Sequence, residues 1–146
     1  MRRGKSSLLL SLCRLTELDS GSIVIDGVDL RTLSREVIRT RITTIPQDPF
    51  VLSDSVRVNT NTSGEASDAA IISGLKKIQL WDAIQIRGWL NAQMKSQPLS
   101  QGQQQLFCLA RAMLHKSKIL ILDEATSNVD SETYAFMQHI IREVFT

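Results

Sequence analysis

Cysteine is scarce in this chain, and long apolar runs are absent. The two cysteines, Cys13 and Cys108, fall on apolar helix faces. They read as reduced core residues of a cytosolic domain, not as a disulfide framework or a metal site. No apolar run approaches the ~18 residues needed to span a bilayer. Arg2, Arg3 and Lys5 precede an apolar stretch too short and too broken by serine to be the h-region of a signal peptide. Charge of one sign is lacking as well. A net charge of +2 with 22% charged residues leaves no footprint for nucleic acid or another polyanion. No internal repeat or low-complexity segment is evident. What remains is a 146-residue chain with 42% hydrophobic residues, enough for one globular core and at most one domain.

The most informative stretch is Lys118-Ile119-Leu120-Ile121-Leu122-Asp123-Glu124. A short apolar run ends in two adjacent carboxylates. The run predicts a buried parallel strand, apolar on both faces. Two acids at its tip are costly to bury without a cation or hydrogen-bond partners. Strand tips of open parallel sheets are where ligands bind. One acid there can hold Mg²⁺ and the next can take a proton from water. A solvated acidic turn is the alternative for this stretch taken alone. Near the other end, Gly4-Lys5-Ser6-Ser7 runs into an apolar helical stretch. That is the second half of a phosphate-binding loop. Gly4 lets the backbone approach a phosphate, Lys5 reaches the β- and γ-phosphates, and Ser6 offers its hydroxyl to Mg²⁺. A basic N-terminus leading into an ordinary helix is the alternative. The first glycine of the full pattern would precede Met1, so the sequence reads as cut there, or as an alternative start. In Leu99-Ser100-Gln101-Gly102-Gln103, Ser100 predicts an N-cap and places Gly102 and Gln103 in the first turn of a helix. Free N–H groups make that turn a second anion site.

These motifs together resemble those of ABC-type ATPases. GKSS stands for the Walker A motif, LSQGQ for the LSGGQ signature, ILILDE for Walker B and SNVD for the D-loop. Ile45-Pro46-Gln47-Asp48-Pro49 lies where the family places its Q-loop. IVIDGVD, IPQDP and QQQLFCLARA narrow the resemblance to the second nucleotide-binding domain of subfamily C, the multidrug-resistance-associated exporters, and to their fungal members. The resemblance covers essentially the whole chain. It implies an α/β P-loop NTPase fold: a parallel sheet core with a helical subdomain, incomplete at both ends. Residues 1–49 and 99–146 would form the RecA-like core and 50–98 the helical subdomain.

It also implies a site. Gly4, Lys5, Ser6 and Ser7 would bind the phosphates of ATP. Ser6, Gln47 and Asp123 would hold Mg²⁺. Glu124 would act on the attacking water, with Gln47 beside it in the catalytic set. Ser100, Gly102 and Gln103 would cap the γ-phosphate of a nucleotide on a second nucleotide-binding domain packed head to tail, and Asp130 would contact that domain. The other partners would be the transmembrane domains of the same transporter, with Phe50, Val51 and Leu52 as candidates for that contact; ordinary core residues are the equal alternative for these three. The expected place is the cytoplasmic side of a membrane, as part of a full-length transporter. The expected function is ATP binding and hydrolysis powering export, while the chain by itself is expected to be inactive. Three departures stand out. Gln101 replaces a signature glycine, the adenine-stacking aromatic lies outside the sequence, and the switch histidine would follow Thr146. His115 and His139 are not assigned that role. A non-catalytic gene-model or pseudogene fragment is one alternative. An ABC-type chromosome or repair ATPase is another, disfavoured because no heptads separate Gln47 from Ser100.

The local pattern predicts helices over residues 5–15, 34–39, 67–75 and 80–85, and a closing helix capped by Asp130 or Ser131. It predicts strands over 22–26, 42–45 and 118–122, and a polar loop over 59–64. Trp81 and Trp89 are expected as packing anchors, and Leu106, Leu109, Ala110 and Met113 as a core-facing stripe.

Overall fold

The computed structural model describes residues 4–96, 98–122 and 129–145. Its elements are α1 (Lys5–Leu12), β1 (Val24–Ile25), β2 (Val28–Asp29), α2 (Arg35–Arg41), β3 (Ile42–Ile45), α3 (Val56–Thr60), α4 (Asp68–Lys77), α5 (Trp81–Ile86), α6 (Gln101–Leu114), β4 (Ile119–Leu122) and α7 (Ser131–Val144). Serine sets most helix starts. The hydroxyls of Ser34, Ser55, Ser67 and Ser100 accept the N–H groups of Val37, Val58, Ala70 and Gln103. Each thereby satisfies one of the orphan donors of a first turn. β1 and β2 form an antiparallel hairpin around Asp26 and Gly27, whose φ angles of 51° and 78° are the pair that a two-residue type I′ turn requires.

β3 and β4 pair in parallel, with Ile42 opposite Ile119 and Ile45 opposite Leu122. Side chains alternate between the two faces, so β4 serves two clusters. Leu120 and Leu122 pack on the main core, while Ile119 and Ile121 pack on a smaller cluster built on Leu30, Ile38 and Ile42. The strand is therefore apolar on both faces, as its sequence requires. It is not fully buried: all four residues are half-exposed, because among the described residues the sheet has only two strands. At the far end of the pair, the Thr43 and Ser117 hydroxyls hydrogen-bond each other.

α6 is the centre of the main core. Leu106, Phe107, Cys108, Leu109, Ala110 and Ala112 are buried, and the helix packs against α3, α4, β3 and α7. Val56, Ile71, Leu75 and Ile84 from residues 50–98 join Ile45, Phe107, Leu109, Met137 and Ile140 in one cluster. Each such side chain contributes about 1.5–3 kcal/mol by leaving water. β3 and the helices α3 to α7 are thus held by a single hydrophobic core.

Four expectations need correction. α1 ends at Leu12 and buries no residue; beyond it the chain turns through Arg14 at φ 49°. That turn is tied down by Arg14, which donates to the Leu33 carbonyl at 2.7 Å and to Glu17 at 3.2 Å. The expected loop over 59–64 begins too early, because Asn59 and Thr60 belong to α3 and are buried. Trp81 is a buried anchor, but Trp89 is 56% exposed and meets it only edge to face. Phe50 and Leu52 are exposed, whereas Val51 packs on the core.

Candidate functional site

Gly4 precedes α1 with φ 138°, a conformation that side chains disfavour. A Cβ built there would meet nothing among the described residues within 4 Å. The first bond of this turn runs from the Leu8 N–H to the Gly4 carbonyl at 2.9 Å. The N–H groups of Lys5, Ser6 and Ser7 therefore precede any intrahelical partner. All three residues are exposed. Such a turn can receive an anion.

A second first turn is built with more structure. Ser100 and Gln103 form a capping box: the Gln103 N–H donates to the Ser100 hydroxyl at 3.2 Å, and the Ser100 N–H donates to the Gln103 side chain at 3.0 Å. Gln104 N–H reaches the Ser100 carbonyl at 2.8 Å, leaving the N–H groups of Gln101 and Gly102 outside the helical ladder. Gly102 sits against the start of α7. An added Cβ would lie 3.4 Å from both Val129 Cγ1 and Thr133 Cγ2. Asp130 caps α7, accepting the Glu132 and Thr133 N–H groups at 3.1 and 2.9 Å and the Thr133 hydroxyl at 2.7 Å. The Thr133 bonds hold the Asp130 carboxyl below its ordinary range. The structure thus brings Gly102 and the Asp130 turn together. Gln101 is exposed at the head of α6.

Gln47 follows β3 in a bend and is half-buried. Its carbonyl accepts the Gln105 side-chain amide at 2.8 Å, and the Pro46 carbonyl accepts the same amide at 3.3 Å. The chain reaches Asp123 directly after Leu122, the last residue of β4. Asp123 and Glu124 lie outside the described residues. Among the described residues no cluster of His, Cys, Asp or Glu is arranged to hold a metal.

Sequence reading missed a buried polar network built on Asn59. Asn59 is 0% exposed. Its amide donates to the carbonyls of Leu52, Asp54 and Ser55 at 3.0–3.2 Å, and its oxygen accepts the Leu52 N–H at 2.7 Å. Arg111 donates to the Asn59 side chain at 2.8 Å and to the carbonyls of Asn59 and Phe50 at 2.5 Å each. The guanidinium also lies 5.3 Å from the Phe107 ring centre. Its burial lowers its pKa, and burial likewise pushes the Cys108 thiol up. A signal existed for Gln105 at least: it lies one and two turns before buried Leu109 and Ala112, a polar residue on a core-facing stripe.

The family model of ABC transporters matches residues 3–127. This chain belongs to the ABC transporter family. It is 50% identical over 142 residues to ABC multidrug transporter B of Aspergillus fumigatus, covering 97% of this chain and 10% of that protein. It is 44% identical over 144 residues to the ABC-type transporter FG02316 of Gibberella zeae, covering 98% of this chain and 10% of the relative. ABC transporter C family member 5 of Dictyostelium discoideum is 41% identical over 145 residues, again 97% and 10% of the two chains. The chain thus spans about a tenth of the length of these curated relatives. Family membership carries the P-loop NTPase fold, of which the β3–β4 pair and the surrounding helices are the described part. No helix among the described residues is long and apolar enough to cross a membrane.

Proposed function

We propose that this chain is part of the nucleotide-binding domain of an ABC exporter and contributes to ATP binding and hydrolysis that drive transport. Residues 50–98 are its helical subdomain, and the parent belongs to subfamily C. The observation that carries the site is the parallel register of β3 and β4. Ile45 lies opposite Leu122, so both strands run out at one edge of the sheet, the edge at which an open α/β fold binds ligands. Gln47 follows one strand there, and the sequence places Asp123 and Glu124 directly after the other.

The donor sets fit a magnesium nucleotide. The exposed first turn of α1, with no described atom within 4 Å of a Cβ at Gly4, suits phosphate. A Ser6 hydroxyl, a Gln47 amide oxygen and an Asp123 carboxylate are the hard oxygen ligands that Mg²⁺ prefers. When bound, Mg²⁺ neutralises charge on the phosphoryl oxygens. Gly4, Lys5, Ser6 and Ser7 hold the phosphates. Glu124 orients the attacking water and accepts its proton, and Gln47 positions that water with it. Ser100, Gly102 and Gln103 close over the γ-phosphate held by a second nucleotide-binding domain, and Asp130 faces that domain. Transmembrane domains of the same transporter are the other partner, and the cytoplasmic side of the membrane is the place.

Titration of the purified chain with ATP, in the presence and absence of Mg²⁺, tests the phosphate site. One charge-assisted hydrogen bond is worth about 1.5–3 kcal/mol, so Lys5→Ala should weaken binding roughly ten- to hundredfold. Equal affinity in Lys5→Ala and the unsubstituted chain would refute the assignment.

A further inference from the structure

We propose that Gln105 is a positioning residue for Gln47: its buried side-chain amide fixes the backbone from which Gln47 reaches the metal. The inference rests on the reading of Gln47 as a Mg²⁺ ligand.

β3 ends at Ile45, paired with Leu122, and Pro46 has no N–H to continue a ladder. Gln47 therefore stands on backbone that the strands no longer hold. A different element supplies the anchor. Gln105 lies in the second turn of α6 and is 1% exposed. Its Nε2 donates to the carbonyls of both Pro46 and Gln47, at 3.3 and 2.8 Å. Two hydrogens on one planar nitrogen, directed at two successive carbonyls, fix the orientation of that dipeptide. Among the described residues the buried Gln105 Oε1 has no hydrogen-bond partner, so Gln105 is not explained by its bonds there as a device for stability alone: an orphan acceptor costs free energy. Supporting bonds to the groups that carry metal ligands set ligand geometry, and small displacements there are costly.

Gln105→Met preserves length and apolar volume and removes both the donor and the orphan acceptor. Its thermal midpoint is therefore expected within a few degrees of the unsubstituted chain. The loss of one net hydrogen bond's worth of placement predicts a decline in the Mg²⁺ enhancement of ATP affinity of about three- to tenfold. ATP affinity without Mg²⁺ should not change. Gln47→Ala should show the same selective decline, and the double variant should be no worse than Gln47→Ala. Hydrogen exchange without nucleotide should quicken at the Gln47 and Asp48 amides in Gln105→Met. In the unsubstituted chain, the Gln105 side-chain amide protons should exchange slowly by NMR, a readout that needs no variant to fold. A selective Mg²⁺ defect in Gln47→Ala with none in Gln105→Met would overturn the inference. Fast exchange of the Gln105 amide would also overturn it. No Mg²⁺ defect in Gln47→Ala would instead refute the metal-ligand reading, and the inference with it.

Discussion

Replacing Asn59 by alanine should be among the most damaging single changes of a polar residue in the described structure. Its side chain is wholly buried and joins Leu52, Asp54, Ser55 and Arg111. The Nδ2 group has two hydrogens for three carbonyls, so about four bonds act at once. Each contributes about 0.5–1.5 kcal/mol net, and the contributions are not additive. Water can reach part of the 50–55 loop, since Phe50 is 66% exposed. A loss of about 2–4 kcal/mol follows. For a domain of this size that lowers the midpoint by roughly 4–16 °C. Asn61→Ala is the control: among the described residues the Asn61 side chain bonds only the N–H and carbonyl of Ala66, at 3.1 and 2.9 Å, and its loss should cost about 1 kcal/mol. Asn59→Asp should remain destabilised. It keeps both acceptor contacts and gains charge attraction to Arg111, but turns an oxygen toward three carbonyls. Urea unfolding followed by circular dichroism measures the series. An Asn59→Ala loss no larger than that of Asn61→Ala would refute the network's importance.

Two further outcomes concern the helix starts beside the site. Ser100→Ala removes the hydroxyl half of the capping box at α6 and should cost about 1 kcal/mol in urea unfolding. Asp130 has its pKa lowered in the folded state by the Thr133 bonds, so its stabilisation is present above the unfolded aspartate value, about 3.9, and is lost as pH falls through the lower folded value. Stability measured from about pH 5 down to pH 2 should decline less steeply in Asp130→Asn, which keeps a capping oxygen. An unchanged slope would refute the assignment. Glu17, Asp29 and Glu143, lowered by Arg35, Arg31 and Lys77 respectively, account for slope that remains.

The sequence by itself determined most helix starts, that of α3 excepted, because a serine or aspartate cap is a local event. Ser34, Ser67, Ser100 and Asp130 act as caps where they were expected. It determined the two parallel strands, because β-branched and leucine runs bounded by Pro46 and by acids have few other solutions. Motif order was enough to place the chain in its family. Tertiary structure decided what no short window contains. Asn59 and Thr60 read as loop because they open the polar run 59–64; their burial comes with α6, which brings Arg111 across to Asn59. β4 is half-exposed because coverage of a strand depends on its neighbours, not on its own residues. Gln105 looked like one glutamine in a polar run. Only the packing of α6 beneath the end of β3 turns its amide toward Pro46 and Gln47, a contact between residues far apart in the chain.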